Sequence, residues 1–334
     1  MNMDKFIQQE HDGTYSSNDY LMITLSKYLN SHFIGNKGNR IILNNKNEIS
    51  IHEGVLLRNQ RNFKPLDGLN GLNIIKNFKN VFIFTDDYGD RNFAHWFYEQ
   101  FIVIIYLIDL IKYFPDIKII INKNRRESMK NNIKDILLLI PGINESNIYE
   151  FDLSGNGNSI KADTIYIGNG MRCGMPNVYK VWKIIESRLN LTENNNSKYD
   201  EKLYFSRRKT NTNARKLKNV EEVSNFLLKK GYNEIFLEDL SLKNKINLVS
   251  NCKKVVLEIG AGLLNLIFIK DTIDVTILIQ DSPANHNYLN IWKQFLDTLP
   301  IRYNIIWGKT VEGKRDSNPI NTPWILDMQK LINE

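Results

Sequence analysis

The residues that could do chemistry gather in two places. In the C-terminal half, Lys202-Leu-Tyr-Phe-Ser-Arg-Arg-Lys209 reads as a short strand that empties into Ser206, Arg207, Arg208 and Lys209, with Arg215, Lys216 and Lys218 following. Further on, Val255-Val-Leu-Glu-Ile259 reads as a buried strand. It ends in Gly260-Ala261-Gly262, and Leu263 to Ile269 then reads as a helix. Strand, tight glycine turn and helix start together make an anion site: the first helical N–H groups lack intrahelical partners and the helix dipole is positive there. Glycine lets a phosphate approach with no Cβ in the way, and an arginine fork can hold two phosphate oxygens at once. A glycine turn alone is common for packing reasons, so the signal gains weight only from the cationic loop beside it.

In the N-terminal half, Asn92-Phe-Ala-His-Trp-Phe-Tyr-Glu99 places His95 and Glu99 four apart, on one face of a helix otherwise built from Phe93, Trp96, Phe97, Phe101 and Ile102. A histidine and a carboxylate in such surroundings cost energy unless they are paired or line a cleft. An imidazole titrates at about 6.5 when unperturbed, which suits a general base at neutral pH. The competing reading is a core histidine satisfied by its carboxylate. Asp87, in the preceding Asp86-Asp-Tyr-Gly-Asp90 loop, is a second candidate base; this loop would otherwise hold a divalent ion or cap the helix.

These groups need a scaffold. Asn219-Val-Glu-Glu222 reads as the capped start of an amphipathic helix carrying Val223, Phe226, Leu227 and Leu228, closed by Lys229-Lys230-Gly231. A strand from Glu234 to Leu237, a helix capped by Ser241 and the Gly260 strand come next. This alternation is that of a doubly wound parallel sheet, in which ligands sit at the carboxyl ends of the strands. In the first half a helix is expected over Leu21 to Phe33, then a hairpin of Arg40–Leu43 and Glu48–His52. Further strands are expected over Val81 to Thr85, Lys118 to Ile121, Ile148 to Leu153 and Thr164 to Ile167. Helices are expected over Phe93 to Tyr113, Met129 to Ile140 and Val178 to Leu189. The polar run Thr192 to Lys198 is the best linker. A last helix is expected from Thr322-Pro323, proline being at home in a first helical turn.

With these motifs in view, the order Tyr-Phe-Ser-Arg-Arg, a downstream Arg-x-x-x-Asn, Glu238-Asp-Leu-Ser241 and Gly260-Ala-Gly-Leu-x-Asn265 resembles the C-terminal half of family 61 glycosyltransferases. Asn92 to Glu99 is similar to the same family's His-Trp element. The resemblance runs from about Asp86 to Tyr303. It departs at Ile259, where the family has histidine, at Val220, where it has glutamate, and around Lys245, where it has glutamine. It implies a GT-B fold, two Rossmann-like domains facing across a cleft. Residues 1–192 would form the acceptor-side domain and 199–320 the nucleotide-sugar-binding domain. Residues 321–334 would form a helix that crosses back to the first domain or packs on its own.

The activity implied is inverting transfer of a sugar from a nucleotide-diphosphate donor, UDP-linked for preference, to a hydroxyl of a glycan or glycoconjugate. His95, Glu99 and Asp87 are the candidates for catalysis. Ser206, Arg207, Arg208, Arg215, Asn219, Glu238 and the turn Gly260, Ala261, Gly262, Leu264, Asn265 are the candidates for donor binding. No metal or other cofactor is expected. A relative that binds sugar nucleotides without turnover is the alternative that Ile259 and Val220 motivate.

Bulk properties fit a globular enzyme: 334 residues, 42% hydrophobic and 24% charged. Two cysteines, Cys173 and Cys252, offer no disulfide framework and no zinc spacing, so a reducing compartment is the default. Met1 to Gly13 is polar, and the apolar run Phe101 to Ile111 is interrupted by Asp109 and short for a bilayer. A cytoplasmic protein is expected, and the family resemblance, whose eukaryotic members usually begin with a membrane anchor, implies one of bacterial or viral type. The net charge of +7 suits an anionic substrate, a membrane surface touched peripherally, or nucleic acid. The cationic cluster has few aromatic neighbours on which bases would stack, which disfavours nucleic acid.

Overall fold

The computed structural model describes residues 14–18, 23–36, 39–43, 49–50, 73–85, 93–125, 127–152, 158–169, 174–189, 191, 201–209, 216–311 and 322–332. The chain divides into two compact units, Met1–Leu191 and Thr192–Glu334, and each is an α/β unit built on its own mixed sheet. The stretch read as a linker, 192–198, lies outside the described residues.

The first unit's strands are β1 (Thr14–Asn18), β2 (Ile23–Asn36), β3 (Asn39–Leu43), β4 (Ile49–Ser50), β5 (Asn73–Ile83), β6 (Lys118–Asn122), β7 (Ile148–Phe151) and β8 (Asn158–Asn169). Their order is β4-β3-β2-β8-β5-β6-β7, with β1 also on β2. The β8, β5, β6 and β7 strands run parallel, while β1, β2, β3 and β4 join by antiparallel pairing. The expected hairpin is present as β3 and β4.

The helix expected over Leu21 to Phe33 is instead β2, paired along its length with β8. Asn30 takes a left-handed φ of 47°, a conformation asparagine tolerates better than most residues. Tyr28 and Phe33 lie an odd number of positions apart, so a regular pleat would send them to opposite faces. Both nevertheless join one apolar cluster with Ile160 and Ile165 of β8. The turned strand therefore lacks the simple alternation by which a strand announces itself.

After β5 the chain enters one helical run, α1 (Phe93–Tyr113), whose bonding changes along its length: α over Phe93–His95, π over Trp96–Gln100, 3-10 over Phe101–Val103 and α again to Tyr113. It is long and apolar enough to cross a bilayer, but 78% of its apolar window is buried within the protein, which accounts for that composition. Phe97 stacks on Phe101 at 4.5 Å between ring centroids, and Phe101 stacks on Trp182 at 5.6 Å. Trp182 belongs to α3 (Gly174–Glu186); α2 (Glu127–Leu138) lies between β6 and β7.

The second unit comprises β9 (Lys202–Phe205), α4 (Val220–Lys229), β10 (Asn233–Ile235), α5 (Leu242–Ser250), β11 (Lys254–Glu258), a 3-10 helix (Ala261–Phe268), β12 (Ile273–Gln280), α6 (Pro283–Leu296), β13 (Ile301–Thr310), β14 (Trp324–Ile325) and α7 (Met328–Ile332). The sheet order is β10-β9-β11-β12-β13-β14, all parallel except β14. The expected doubly wound alternation is thus realised. Ser241 caps α5 as expected, its Oγ accepting from the Asn244 N–H at 3.2 Å.

Two expectations change here. Thr322-Pro323 does not start a helix: Trp324 and Ile325 form the antiparallel edge strand β14, and only Met328–Ile332 is helical. Threonine then proline suits a helix start and an edge strand alike, because both dispense with the proline N–H. Trp324, Leu326 and Leu331 are buried with Tyr204, Val223, Val256 and Ile306, so this segment is built into the second unit's own core. The capping box at Asn219 is also absent. Its amide instead brackets Leu326, Nδ2 donating to the Leu326 carbonyl at 2.9 Å and Oδ1 accepting from the Leu326 N–H at 3.0 Å.

In the first unit Gly168 of β8 lies directly under α1. A Cβ there would stand 2.5 Å from Val103 Cβ, so the helix that carries His95 rests on bare backbone. Gly168→Ala is expected to destabilise the protein by about 1–3 kcal/mol, as overpacking does. Val103→Gly in the same background, which removes the clashing Cβ together with both methyls, should return much of that loss, giving a coupling energy in a urea-denaturation double-mutant cycle. Additive effects would show that α1 does not depend on this contact.

Candidate functional site

In the second unit the chain leaves β9 toward β10 on one side of the sheet and leaves β11 toward β12 on the other. The carboxyl ends of β9 and β11 therefore flank the switch point of the order 2-1-3-4-5, where open parallel sheets leave a crevice. Ser206 to Lys209 and Glu258 to Gly262 meet there.

The two loops are tied together. The Arg207 backbone N–H donates to Glu258 Oε1 at 3.2 Å, and Arg207 Nη1 donates to the Ile259 carbonyl at 3.1 Å. Ser206 is buried; its N–H donates to the Ile235 carbonyl, and its Oγ accepts from the Arg208 N–H at 3.2 Å. The consecutive cations then part company. Arg208 Nη2 donates to Glu234 Oε2 at 2.9 Å, and Lys209 Nζ to Asp239 Oδ2 at 2.7 Å, both beside the Phe236 ring. Arg207 thus turns toward the switch point, while Arg208 and Lys209 turn toward β10 and the turn after it.

Gly260 has φ +156° and ψ −164°, a region open essentially to glycine alone. The chain then enters a 3-10 helix rather than the expected α-helix, and every side chain from Leu263 to Phe268 is buried. Leu264 is therefore a core residue, able to meet a ligand only through its backbone. Gly262 answers to packing: a Cβ there would lie 3.3 Å from Leu237 Cδ1. That approach brings the Leu237–Asp239 turn, with exposed Glu238, against the glycine turn. Asn265 is buried, Nδ2 donating to the Gly262 carbonyl at 3.0 Å, and its Oδ1 is an acceptor left without a partner among the described residues. Asn219, expected at this site, spends its amide on Leu326. Arg215 lies outside the described residues.

Glu258 is the residue that sequence reasoning passed over. Burial pushes its carboxyl up to about 7, against the opposing pull of the Arg207 charge, the Arg207 N–H and the Tyr204 hydroxyl. Tyr204 in turn is held far above the ordinary phenol range, first by burial and then by the Glu258 charge. The missed signal was a lone acidic residue inside the apolar run Val255 to Ile259.

In the first unit His95 stands at the junction of the first α turn and the π turn of α1, and Glu99 lies within the π turn. His95 Nδ1 lies 2.8 Å from Glu99 Oε1 and 2.5 Å from the Tyr98 hydroxyl. Glu99 is buried while the His95 side chain is 28% exposed, so the imidazole is the part that a ligand can reach. With its proton on Nδ1, His95 donates to Glu99 and keeps Nε2 as an acceptor, the tautomer a general base requires. The next residue, Gln100, is also buried, and its Oε1 accepts from buried Arg125 Nη2 at 3.0 Å. Arg125 sits in the polar turn after β6, which carried no sequence signal. A π turn within an α-helix is frequent at functional sites. Asp87, with the whole Asp86–Asp90 loop, lies outside the described residues. Among the described residues no three His, Cys, Asp or Glu side chains cluster as metal ligands.

A family model described as glycosyltransferase 61 matches residues 93–276, from the start of α1 into β12 and over more than half of the chain. The chain belongs to glycosyltransferase family 61. No curated protein matches it. Membership makes it a glycosyltransferase, with a nucleotide-sugar donor and a glycan acceptor in general. The matched span includes His95, Arg207, Glu258 and the glycine turn. Its departures have structural meaning. Ile259, where the resemblance leads to the expectation of histidine, is buried and contributes its carbonyl to Arg207. Val220 packs on the second unit's core, and Lys245 is buried on α5, the helix that contacts the 3-10 segment. In this glycosyltransferase the residue that precedes the glycine turn is therefore an apolar, buried one.

The raised Glu258 carboxyl makes stability depend on pH. Its folded pKa lies above the ordinary 4.5, so the folded state binds the proton more tightly. The associated stability is complete below about pH 4.5 and is lost as pH rises through about 7, a change on the order of 3 kcal/mol. Denaturant unfolding from pH 4.5 to 8 is expected to show that decline in the wild type and a much flatter profile in Glu258→Gln. Equal slopes in the two proteins would assign the pH dependence elsewhere.

Proposed function

We propose that this family 61 glycosyltransferase is an inverting enzyme of GT-B arrangement, the second unit taking a nucleotide-diphosphate sugar and the first unit the acceptor. The observation that carries the reading is the meeting of Arg207 and the strained glycine turn at the switch point of a parallel sheet. In this reading the donor's diphosphate lies along the start of the 3-10 helix, within reach of the Ala261 and Gly262 N–H groups and the Arg207 guanidinium. Preorganised donors aimed at charge that develops in the transition state are commonly the largest catalytic contribution. Glu238, on the turn that touches Gly262, is placed to contact ribose or base. Asn265 supports the turn from below.

On the acceptor side, His95 Nε2 takes the proton of the attacking hydroxyl, and Glu99 holds the opposite nitrogen and steadies the imidazolium that forms. The hydroxyl oxygen attacks the anomeric carbon from the face opposite the leaving diphosphate, and configuration inverts. The phosphate chemistry is met by cationic side chains and backbone N–H groups with no metal, and the preferred donor is UDP-linked. A cytoplasmic site of action agrees with this reading. The buried Ile259 favours a second reading, a protein that binds the donor without turning it over.

Two measurements separate these outcomes. Arg207→Ala should weaken UDP binding about 10- to 100-fold in calorimetry, the range for a lost hydrogen bond to a charged group. Arg208→Ala, whose guanidinium is engaged by Glu234, should weaken it less. Unchanged affinity in Arg207→Ala would sink the phosphate role.

His95→Ala should lower turnover about 10²- to 10⁴-fold while UDP affinity stays constant. Binding in the wild type with no turnover on any nucleotide sugar would favour the second reading. Full activity in His95→Ala would move the base to Asp86–Asp90.

A further inference from the structure

We propose that Glu258 is a positioning residue of the donor site: it holds the Arg207 loop against the glycine turn, and it takes up a proton from solvent when an anionic diphosphate engages Arg207. This rests on the donor reading above. Glu258 closes β11 at the switch point, is buried, and spends Oε1 on the Arg207 backbone N–H at 3.2 Å, while the Arg207 side chain reaches past it to the Ile259 carbonyl at 3.1 Å. One carboxylate thus fixes both the backbone and, by its charge, the guanidinium of the residue that would grip the phosphates.

The charges around Glu258 decide what happens on binding. Arg207, from the end of β9, is the cation that faces it; the Tyr204 hydroxyl of β9 lies beside it, and Glu234 and Arg208 act on Tyr204 from beyond. Without ligand, the Arg207 charge helps keep the buried carboxyl ionised against the cost of its burial. A diphosphate bound by Arg207 brings negative charge into the same low-dielectric crevice and competes for that cation. The ionised carboxylate loses its support and protonates. The protonated acid still accepts the Arg207 N–H through its carbonyl oxygen, so the loop stays in place. A proton therefore balances part of the donor's charge, and donor affinity weakens as pH rises.

The experiment is calorimetry of the full-length protein with UDP-glucose, whose diester phosphates do not titrate near neutrality, in buffers of differing ionisation enthalpy from pH 5.5 to 8. UDP is the second probe. The expected result is uptake of about one proton per UDP-glucose at pH 8 and close to none at pH 5.5, with affinity falling by up to about tenfold per pH unit above 7. Glu258→Gln, which keeps the acceptor oxygen, should bind with no uptake and no such decline. Glu258→Ala, which loses the acceptor, should bind weakly at every pH. Wild-type binding without proton uptake, or the same uptake in Glu258→Gln, overturns the proposal and leaves the donor site standing. Failure of both UDP-glucose and UDP to bind overturns the donor reading and this proposal together.

Discussion

The tie between Arg207 and the end of β11 is the interaction on which the second unit's chemistry depends. Two parallel strands that part to opposite sides of a sheet leave a gap between their carboxyl ends, and nothing in the sheet ladder closes it. Here Arg207 closes it with two bonds, one from its backbone to a side chain and one from its side chain to a backbone. The glycine turn is held open by the strained Gly260 and braced from below by Asn265 and Leu237. Remove the tie and the cation and the turn are independent loops; with it they form one surface of defined charge.

The first unit solves a different problem with similar economy. A buried carboxylate must be kept beside an imidazole that solvent can reach. The π turn does this by inserting one residue into the helical register just where Trp96, Phe97 and Phe101 crowd together. The aromatic packing anchors the turn, and the polar pair projects from its rim. Next to this pair along the helix, the buried Gln100 and Arg125 form a second polar contact among apolar neighbours.

Much of this was legible in the residues, for physical reasons. The buried strands of the second unit are covered on both faces, so β11 and β12 appear as nearly continuous apolar runs with glycine or polar breaks between them. His95 and Glu99 stood out because they were the polar exceptions on an apolar helix. The features that escaped notice depended on partners distant in the chain. The strand β2 hid behind the twist at Asn30. Asn219 reads as a helix cap until the Leu326 backbone arrives to use its amide. Thr322-Pro323 carries a helix-start pattern that an open sheet edge overrides. Gly262 reads as room for a phosphate, and the structure adds a packing reason for it, the close approach of Leu237. Glu258 was adjacent to the residue that drew attention, Ile259, yet its environment is set by β9.

Chain order and sheet order disagree in the first unit, and this governs how the protein can be made. The strand β8 lies between β2 and β5, yet it is the last of the eight to be synthesised. Until residue 169 has emerged from the ribosome, the β1–β4 layer and the β5–β7 layer have no ladder in common, and α1 has no floor at Gly168. The nascent chain must therefore carry this long apolar helix without that support through the interval. The second unit repeats the pattern at its own edge, where β14, the last strand in chain order among the described residues, joins β13. Each sheet is thus completed by the last of its strands in chain order, which favours late closure of the sheet over gradual accretion.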